Sequence, residues 1–316
     1  MKRIQGIANH TPVMTSSSIN SMTNCNVFFK CENFQKGGAF KFRGAYNAIS
    51  QLSDEEKEKG VIAHSSGNHA QAVALASRML DIDATIVMPR NSTKVKQKAT
   101  KGYGARVVMC EPTLEGREST TNAIISQEGQ TLIHPYNNPK VIAGAGTAAL
   151  ELLREMKKLD FILAPVGGGG LISGTSLAAR GIDSSIEVVG VEPANADDAY
   201  KSFKTGTFHP SVEPHTIADG LLTSLGELSF DIISKNVDDI LLVDDVDIVN
   251  AMRLLWERMK LVVEPSSAVP LAGIVTNKDR FMDKRVGIIV SGGNVDLSSF
   301  FKELQKKAYA NNSKSA

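Results

Sequence analysis

The sequence lacks most of the features that would set it apart from ordinary globular proteins. It has three cysteines, Cys25, Cys31 and Cys110, which make no C-x-x-C pair and leave an odd one over. Reduced thiols in a cytoplasmic protein are the expectation. The formal net charge is +1, too small to point to a nucleic acid or an acidic membrane. No apolar stretch reaches bilayer length. Lys2 and Arg3 are not followed by the apolar core of a signal peptide. There is no internal repeat and no zinc-ligand spacing, and His64 and His69 are not arranged as a ligand pair. A G-x-S-x-G elbow is missing, which disfavours a triad hydrolase. What remains is 316 residues with 42% apolar content, enough for two packed domains or one large α/β unit.

The most informative stretch runs Phe161 to Val166 and then Gly167-Gly168-Gly169-Gly170-Leu171. A short apolar run reads as a buried strand, and a helix of small residues follows from Leu171 to Arg180. Between them the chain is bare backbone. Its N–H groups can close on an anion, and the helix dipole adds partial positive charge. A flexible turn would explain two glycines; four between a strand and a helix favour a phosphate cradle. Leu171 stands where a P-loop needs lysine, and Gly168 and Gly170 lead to Ser173, so the dinucleotide fingerprint fails too.

The rest of the chain alternates. Val27 to Cys31 reads as a strand, and Gly37-Gly38 as a loop before a helix that begins near Phe40. Lys41 sits there between Phe40 and Phe42; a lysine flanked by aromatics is partly desolvated, which lowers its pKa and suits covalent chemistry with a carbonyl. From Val61 to Ile133, short strands alternate with helices at 71–79, 93–101 and 117–127. That pattern predicts a parallel sheet covered on both faces. At its first strand-to-helix junction lies His64-Ser65-Ser66-Gly67-Asn68-His69, where open α/β sheets bind ligands; a plain helix cap would explain only one of these polar residues. One helix is expected from Val141 to Lys157. Glu192, Asp197 and Asp198, three carboxylates within seven residues, either hold a hard cation or form a solvated acidic helix start. Thr216 to Gly220 is a loop, Val286 to Val290 a buried strand that runs into Ser291-Gly292-Gly293-Asn294, and Ala308 to Ala316 a frayed tail.

These motifs together resemble the fold-type II pyridoxal-phosphate (PLP) enzymes, within them the serine racemase and threonine/serine dehydratase group, nearest the eukaryotic racemases. The resemblance runs from Thr11-Pro12 to about Phe301. It rests on Gly38 to Ala45, Ser65 to His69, Val141 to Thr147, the glycine tetrad, Glu264-Pro265 and Ser291 to Asn294. It implies two doubly wound open α/β domains with the cofactor between them: a large one of residues 1–52 and 137–316, and a small one, 53–136, inserted in it. It also implies that Lys41 carries PLP covalently and that Gly167, Gly168, Gly169 and Gly170 hold its phosphate. Asn68 would meet the ring hydroxyl, Phe40 would pack on the ring, Gly220 would line the site and Ser291 would face the ring nitrogen. Ser65, Ser66, Asn68 and His69 would receive the amino-acid substrate. Glu192, Asp198 and the carbonyl of Ala196 match a Mg²⁺ or Ca²⁺ site of the racemases.

Ser17, Lys36 and Gln71 match a site at which some racemases bind ATP as an effector, but Gly37 replaces its threonine, which counts against activation. No regulatory domain is expected behind the catalytic one. A homodimer and a cytoplasmic location are implied. The implied reaction is racemisation of L-serine to D-serine, with Lys41 and Ser66 on opposite faces of Cα, together with β-elimination from serine or threonine. A dehydratase of threo-3-hydroxyaspartate, or a purely catabolic serine/threonine dehydratase, is the alternative; a non-catalytic nucleotide-binding module is a rival of another class.

Overall fold

The computed structural model describes residues 1–92, 94–298 and 301–302. The tail read from Ala308 to Ala316 and the residue Thr93 lie outside them. The chain opens with β1 (Val13–Met14), α1 (Ser17–Thr23), β2 (Asn26–Cys31), α2 (Lys41–Ile49) and α3 (Asp54–Lys59). It continues through β3 (Val61–His64), α4 (Asn68–Met79), β4 (Ala84–Pro89), α5 (Lys94–Gly102), β5 (Arg106–Cys110), α6 (Leu114–Glu128) and β6 (Thr131–Leu132). Next come α7 (Pro139–Ala145), α8 (Thr147–Glu155), β7 (Phe161–Pro165), α9 (Gly170–Ile182), β8 (Glu187–Pro193), α10 (Asp198–Thr205) and α11 (Glu227–Asn236). The last elements are β9 (Asp239–Val243), α12 (Asp245–Leu254), α13 (Pro265–Thr276), α14 (Lys278–Phe281) and β10 (Arg285–Val290).

Two sheets result. A six-stranded sheet has the order β1-β2-β10-β7-β8-β9, parallel except for the β1–β2 pair, and a four-stranded parallel sheet has the order β5-β4-β3-β6. The second sheet is built wholly from residues 61–132, as the alternation predicts. Its strands read as continuous apolar runs because both faces are covered. Ala63, Ile86 and Met88 pack with α2 and α4 on one face, while Ile62, Val87 and Cys110 meet Ile124 and Ile125 of α6 on the other. The large sheet is sandwiched in the same way, with Phe29, Leu163 and Val191 facing α12 and α13, and Ile162, Val188 and Ile289 facing α8 and α9. No helix among the described residues is long and apolar enough to cross a membrane.

The structure corrects two details. The single helix expected from Val141 to Lys157 is two helices, α7 and α8, broken at Gly146. The reason is packing: a Cβ on Gly146 would lie 2.4 Å from the carbonyl oxygen of Gly174 in α9, so the chain presses bare backbone against bare backbone there. Thr147 Oγ1 also donates to the Gly144 carbonyl at 2.6 Å, tightening the joint. The other detail concerns Lys41. Of its two aromatic neighbours, Phe42 is fully buried in the core of α2 and α4, and Phe40 alone faces the lysine.

Candidate active site

Lys41 begins α2, directly after the tight loop Gly37-Gly38, where both residues have positive φ. Its ammonium donates to the carbonyl of Pro135 at 3.0 Å and lies 5.1 Å from the centre of the Phe40 ring. Burial pulls its pKa down to about 8, against an upward pull from the Glu264 carboxylate. An amine near neutrality is a far better nucleophile than an ordinary lysine. Two residues on, the guanidinium of Arg43 is fully buried and paired with Glu32 and Glu151. Lys30, also fully buried, adds a second cation at Glu151, 2.9 Å away. This balanced group ties α2, β2 and α8 together under the lysine.

The glycine tetrad joins β7 to α9, and all four residues are buried. Among the described residues, none accepts a hydrogen bond from the amides of Gly168, Gly169 or Gly170. Buried backbone donors are rarely left so, and three together at a helix N-terminus fit a phosphate. Close approaches crowd these glycines, most at Gly168 and Gly169. A Cβ on Gly168 would lie 2.2 Å from the Tyr136 ring, one on Gly169 2.7 Å from Ser229, and one on Gly167 3.3 Å from the Gly220 carbonyl. Gly220 therefore does line the same loop; its amide is held by Ser266 Oγ at 3.1 Å.

At the end of β3, Ser65, Ser66, Gly67 and Asn68 are partly exposed and His69 is buried. The helix α4 starts at Asn68, three residues earlier than the periodicity suggests. Its first amides, those of Asn68, His69 and Ala70, have no described acceptor. Free amides at a helix start suit an anion, as at the glycine tetrad. The His69 ring is a different matter. Its Nε2 lies 2.7 Å from the Ile133 carbonyl, so Nε2 must carry the proton and donate. The buried Nδ1 then offers a lone pair and has no partner. Burial first, and Lys41 next, press the His69 pKa down to about 3.

The Asn68 carboxamide is engaged at both ends: Nδ2 donates to both oxygens of Glu264, at 2.8 and 3.0 Å, and Oδ1 accepts from Asn294 at 2.9 Å with one lone pair to spare. Ser291 Oγ is 2.9 Å from Ser267 Oγ, which also accepts from the Gly292 amide at 2.6 Å. The connection from β6 to α7 was not singled out in the sequence. His134 Nδ1 accepts from the amides of Tyr136 and Asn137, Pro135 holds Lys41, and Tyr136 stacks edge-on to His134 with its hydroxyl 2.7 Å from Thr223 Oγ1. Burial, then His64 and Lys41, lower the His134 pKa to about 4. The roles of Pro135 and Tyr136 rest on partners far along the chain, Lys41 and Thr223.

Glu192 and Asp198 are both buried at the start of α10. Glu192 caps the helix, accepting from the amides of Ala199 and Tyr200 at 3.1 and 2.8 Å, and Asp198 Oδ2 accepts from Leu225 at 3.1 Å. Desolvation raises their pKa values to about 9 and about 6. Asp198 Oδ1 is buried without a partner. Asp197 instead pairs with Lys201 on the surface. Among the described residues there is no group of three or more His, Cys, Asp or Glu side chains that could hold a metal, so any cation here would also need backbone oxygens. Of the residues matched to an ATP site, Lys36 lies in a turn packed on α4, which carries Gln71, while Ser17 is on the exposed first turn of α1.

Comparison with known proteins agrees with this geometry. Residues 4–292 match the family model of the pyridoxal-phosphate-dependent enzymes. A serine racemase of Dictyostelium discoideum is 50% identical over 96% of this chain and 95% of its own. An L-threo-3-hydroxyaspartate ammonia-lyase of Saccharomyces cerevisiae is 49% identical over 94% of this chain and 92% of its own. The solved structure of maize serine racemase superposes with a TM-score of 0.96 at 43% identity, covering 98% of this chain and 96% of that one. A buried lysine with a lowered pKa and a loop of unbonded backbone donors stand within an α/β frame of this order, and the chain belongs to the pyridoxal-phosphate-dependent enzymes, with the fold-type II architecture.

Proposed function

We propose that this enzyme racemises serine and, from the same site, eliminates water from serine or threonine to give a 2-oxo acid and ammonia. The observation that carries the reading is the state of Lys41: desolvated, with a pKa of about 8, and aimed at the connection that also carries Tyr136 to the glycine loop. Lys41 would hold pyridoxal phosphate covalently, the amides of Gly167 to Gly170 its phosphate, Phe40 and Asn68 its ring, and Ser291 the ring nitrogen. When bound, the cofactor supplies a sink for the electrons left when Cα loses its proton.

The chain's own groups do the rest. The free amides at the start of α4, with Ser65 and Asn68, receive the substrate carboxylate; the His69 ring presents a bare acceptor at Nδ1 and does not meet it, so His69 contributes through its backbone amide alone. The amine of Lys41 takes the Cα proton and returns it on one face. The hydroxyl of Ser66 exchanges a proton on the other face, with solvent access to restore it. Loss of the β-hydroxyl as water instead of reprotonation gives the elimination products. The neutral Ser291 leaves the ring nitrogen unprotonated, so the sink is mild.

Buried Glu192 and Asp198, with the carbonyl of Ala196, form a site for Mg²⁺ or Ca²⁺; the unpartnered Asp198 Oδ1 and the two raised carboxyls favour this over a solvated helix start. The four-stranded sheet supports residues 53–136 as an inserted unit within a large domain of residues 1–52 and 137–316. A cytoplasmic homodimer is part of the same reading. The two hydroxy amino acids named in the relatives are separated by one experiment: L-serine and threo-3-hydroxyaspartate are supplied in turn, and D-isomer and keto acid are measured. Turnover of hydroxyaspartate alone would replace the serine reading with that of a hydroxyaspartate ammonia-lyase.

A further inference from the structure

The Glu264-Pro265 pair has no part in the reaction as set out above, yet Glu264 is buried at the centre of the site. We propose that Glu264 is a positioning residue: its carboxylate fixes the side chain of Asn68 and, through it, the substrate-binding turn Ser65–His69 against the large sheet. The inference rests on the proposed function for the role of that turn.

Four segments meet in one hydrogen-bonded chain. Asn294 donates to the carbonyl of Gly37 at 2.7 Å and to Asn68 Oδ1 at 2.9 Å; Asn68 in turn donates to both oxygens of Glu264. The partners come from the lysine loop, the end of β10, the start of α4 and the start of α13. A carboxamide with its oxygen and its nitrogen both engaged has one orientation, not two. Glu264 is the charged end, and a hydrogen bond to a carboxylate is about twice as strong as one between neutral groups.

The chain is also built into the backbone. A Cβ on Gly38 would lie 2.5 Å from Asn294 Oδ1, and one on Gly292 2.8 Å from Glu264 Oε1. Two glycines of separate loops are thus bare where the side chains of this relay pass. Glu264 is itself held at the helix start, its amide donating to the Gly292 carbonyl at 3.2 Å. The turn's other long-range ties run to the four-stranded sheet: the Ser65 amide donates to the Val87 carbonyl at 3.1 Å, and His69 Nε2 to the Ile133 carbonyl at 2.7 Å. The tie joining Asn68 to the large sheet spans 196 residues of sequence, whereas Ser65 Oγ makes only the local bond to the Gly67 amide at 3.2 Å.

The test compares wild type, Glu264→Gln and Glu264→Ala. Glutamine keeps an acceptor oxygen for Asn68; alanine keeps none. Amide exchange is followed in the cofactor-free protein, so that this readout does not depend on turnover. The bonded amides of the turn, those of Ser65, Gly67 and Gln71, should exchange about tenfold faster in Glu264→Ala than in wild type, with Glu264→Gln between the two and the strands of both sheets unchanged. In holoenzyme given L-serine, KM should rise about tenfold in Glu264→Ala and about threefold in Glu264→Gln, with kcat within about threefold. Unchanged exchange at these three amides overturns the inference, as does faster exchange spread over the whole chain, the mark of a merely structural role. Normal exchange changes in a protein that never turns over serine would sink the serine reading and leave the positioning role standing.

Discussion

Arg43 and Glu32 form a two-point pair: Nε to Oε2 is 2.7 Å and Nη2 to Oε1 is 2.8 Å, with both side chains fully excluded from solvent. Glu151 grips the other edge of the same guanidinium at 2.7 and 2.8 Å. Removing the arginine would leave two carboxylates buried with Lys30 alone. Arg43→Met should therefore cost about 3–5 kcal/mol, the usual penalty for breaking a buried ion pair from one side. Urea unfolding of the cofactor-free chain measures it; a loss under about 1 kcal/mol would mean the group is dispensable.

Lys41 fixes a pH dependence. Its amine is neutral above a pKa of about 8, so at pH 7.5 about a quarter of it is nucleophilic, against about a thousandth for an ordinary lysine. Covalent capture of pyridoxal phosphate by cofactor-stripped protein should rise with pH around a midpoint near 8. Stopped-flow absorbance reads this directly, and a midpoint above 10 contradicts the desolvated site. In Lys41→Ala both the visible absorbance and all turnover should vanish.

Ser66→Ala should abolish production of D-serine while elimination from L-serine continues, because a methyl group has no proton to give. Chiral chromatography and a keto-acid assay on the same sample separate the two. Parallel loss of both activities would show that Ser66 merely shapes the turn.

Gly168→Ala places a methyl group where Tyr136 already lies, 2.2 Å away. The tyrosine must leave or the loop must shift. Retention of pyridoxal phosphate through gel filtration should fall at least about tenfold, while pyridoxal, which has no phosphate to lose, binds nearly as before.

Glu192 and Asp198 give the cation reading its own signature. Without metal, the native carboxyls hold protons up to about pH 9 and about pH 6, while the unfolded chain has released them by about pH 5. The native state then binds more protons, so stability should fall as pH rises through that window. Mg²⁺ or Ca²⁺ should flatten the slope and raise Tm most at the alkaline end. Asp198→Asn should erase the metal effect; identical melting curves with and without either ion in wild type would dismiss the site.

The frame and the centre of the site were legible because they are local. Four glycines between a strand and a helix, a serine-rich turn after a strand, and the strand–helix alternation of 61–133 are each contained in a few neighbouring residues. The break at Gly146 was not visible, since it arises from contact with Gly174 in another helix. Tyr136 and Ser267 escaped for a similar reason, and Glu264, marked only as part of the Glu264-Pro265 motif, was given no role. Each acts on a residue between 24 and 196 positions away, and no periodicity encodes that. Nothing in the sequence marks Glu32, Arg43 and Glu151 as a group; only folding brings them into one dry cluster. His69 was singled out from the sequence as a candidate, but the side its ring presents is decided by the carbonyl of Ile133.

The joint at Gly146 and Gly174 reaches further than the helices it connects. A Cβ on Gly174 would lie 2.5 Å from the Ile142 carbonyl, so neither partner tolerates a methyl group. The same α9 begins at Gly170, and whatever lifts its middle tilts its first turn. A substitution one full helical turn downstream of the tetrad, touching neither cofactor nor substrate, would loosen the grip on the phosphate as a wedge under a lever moves the far end.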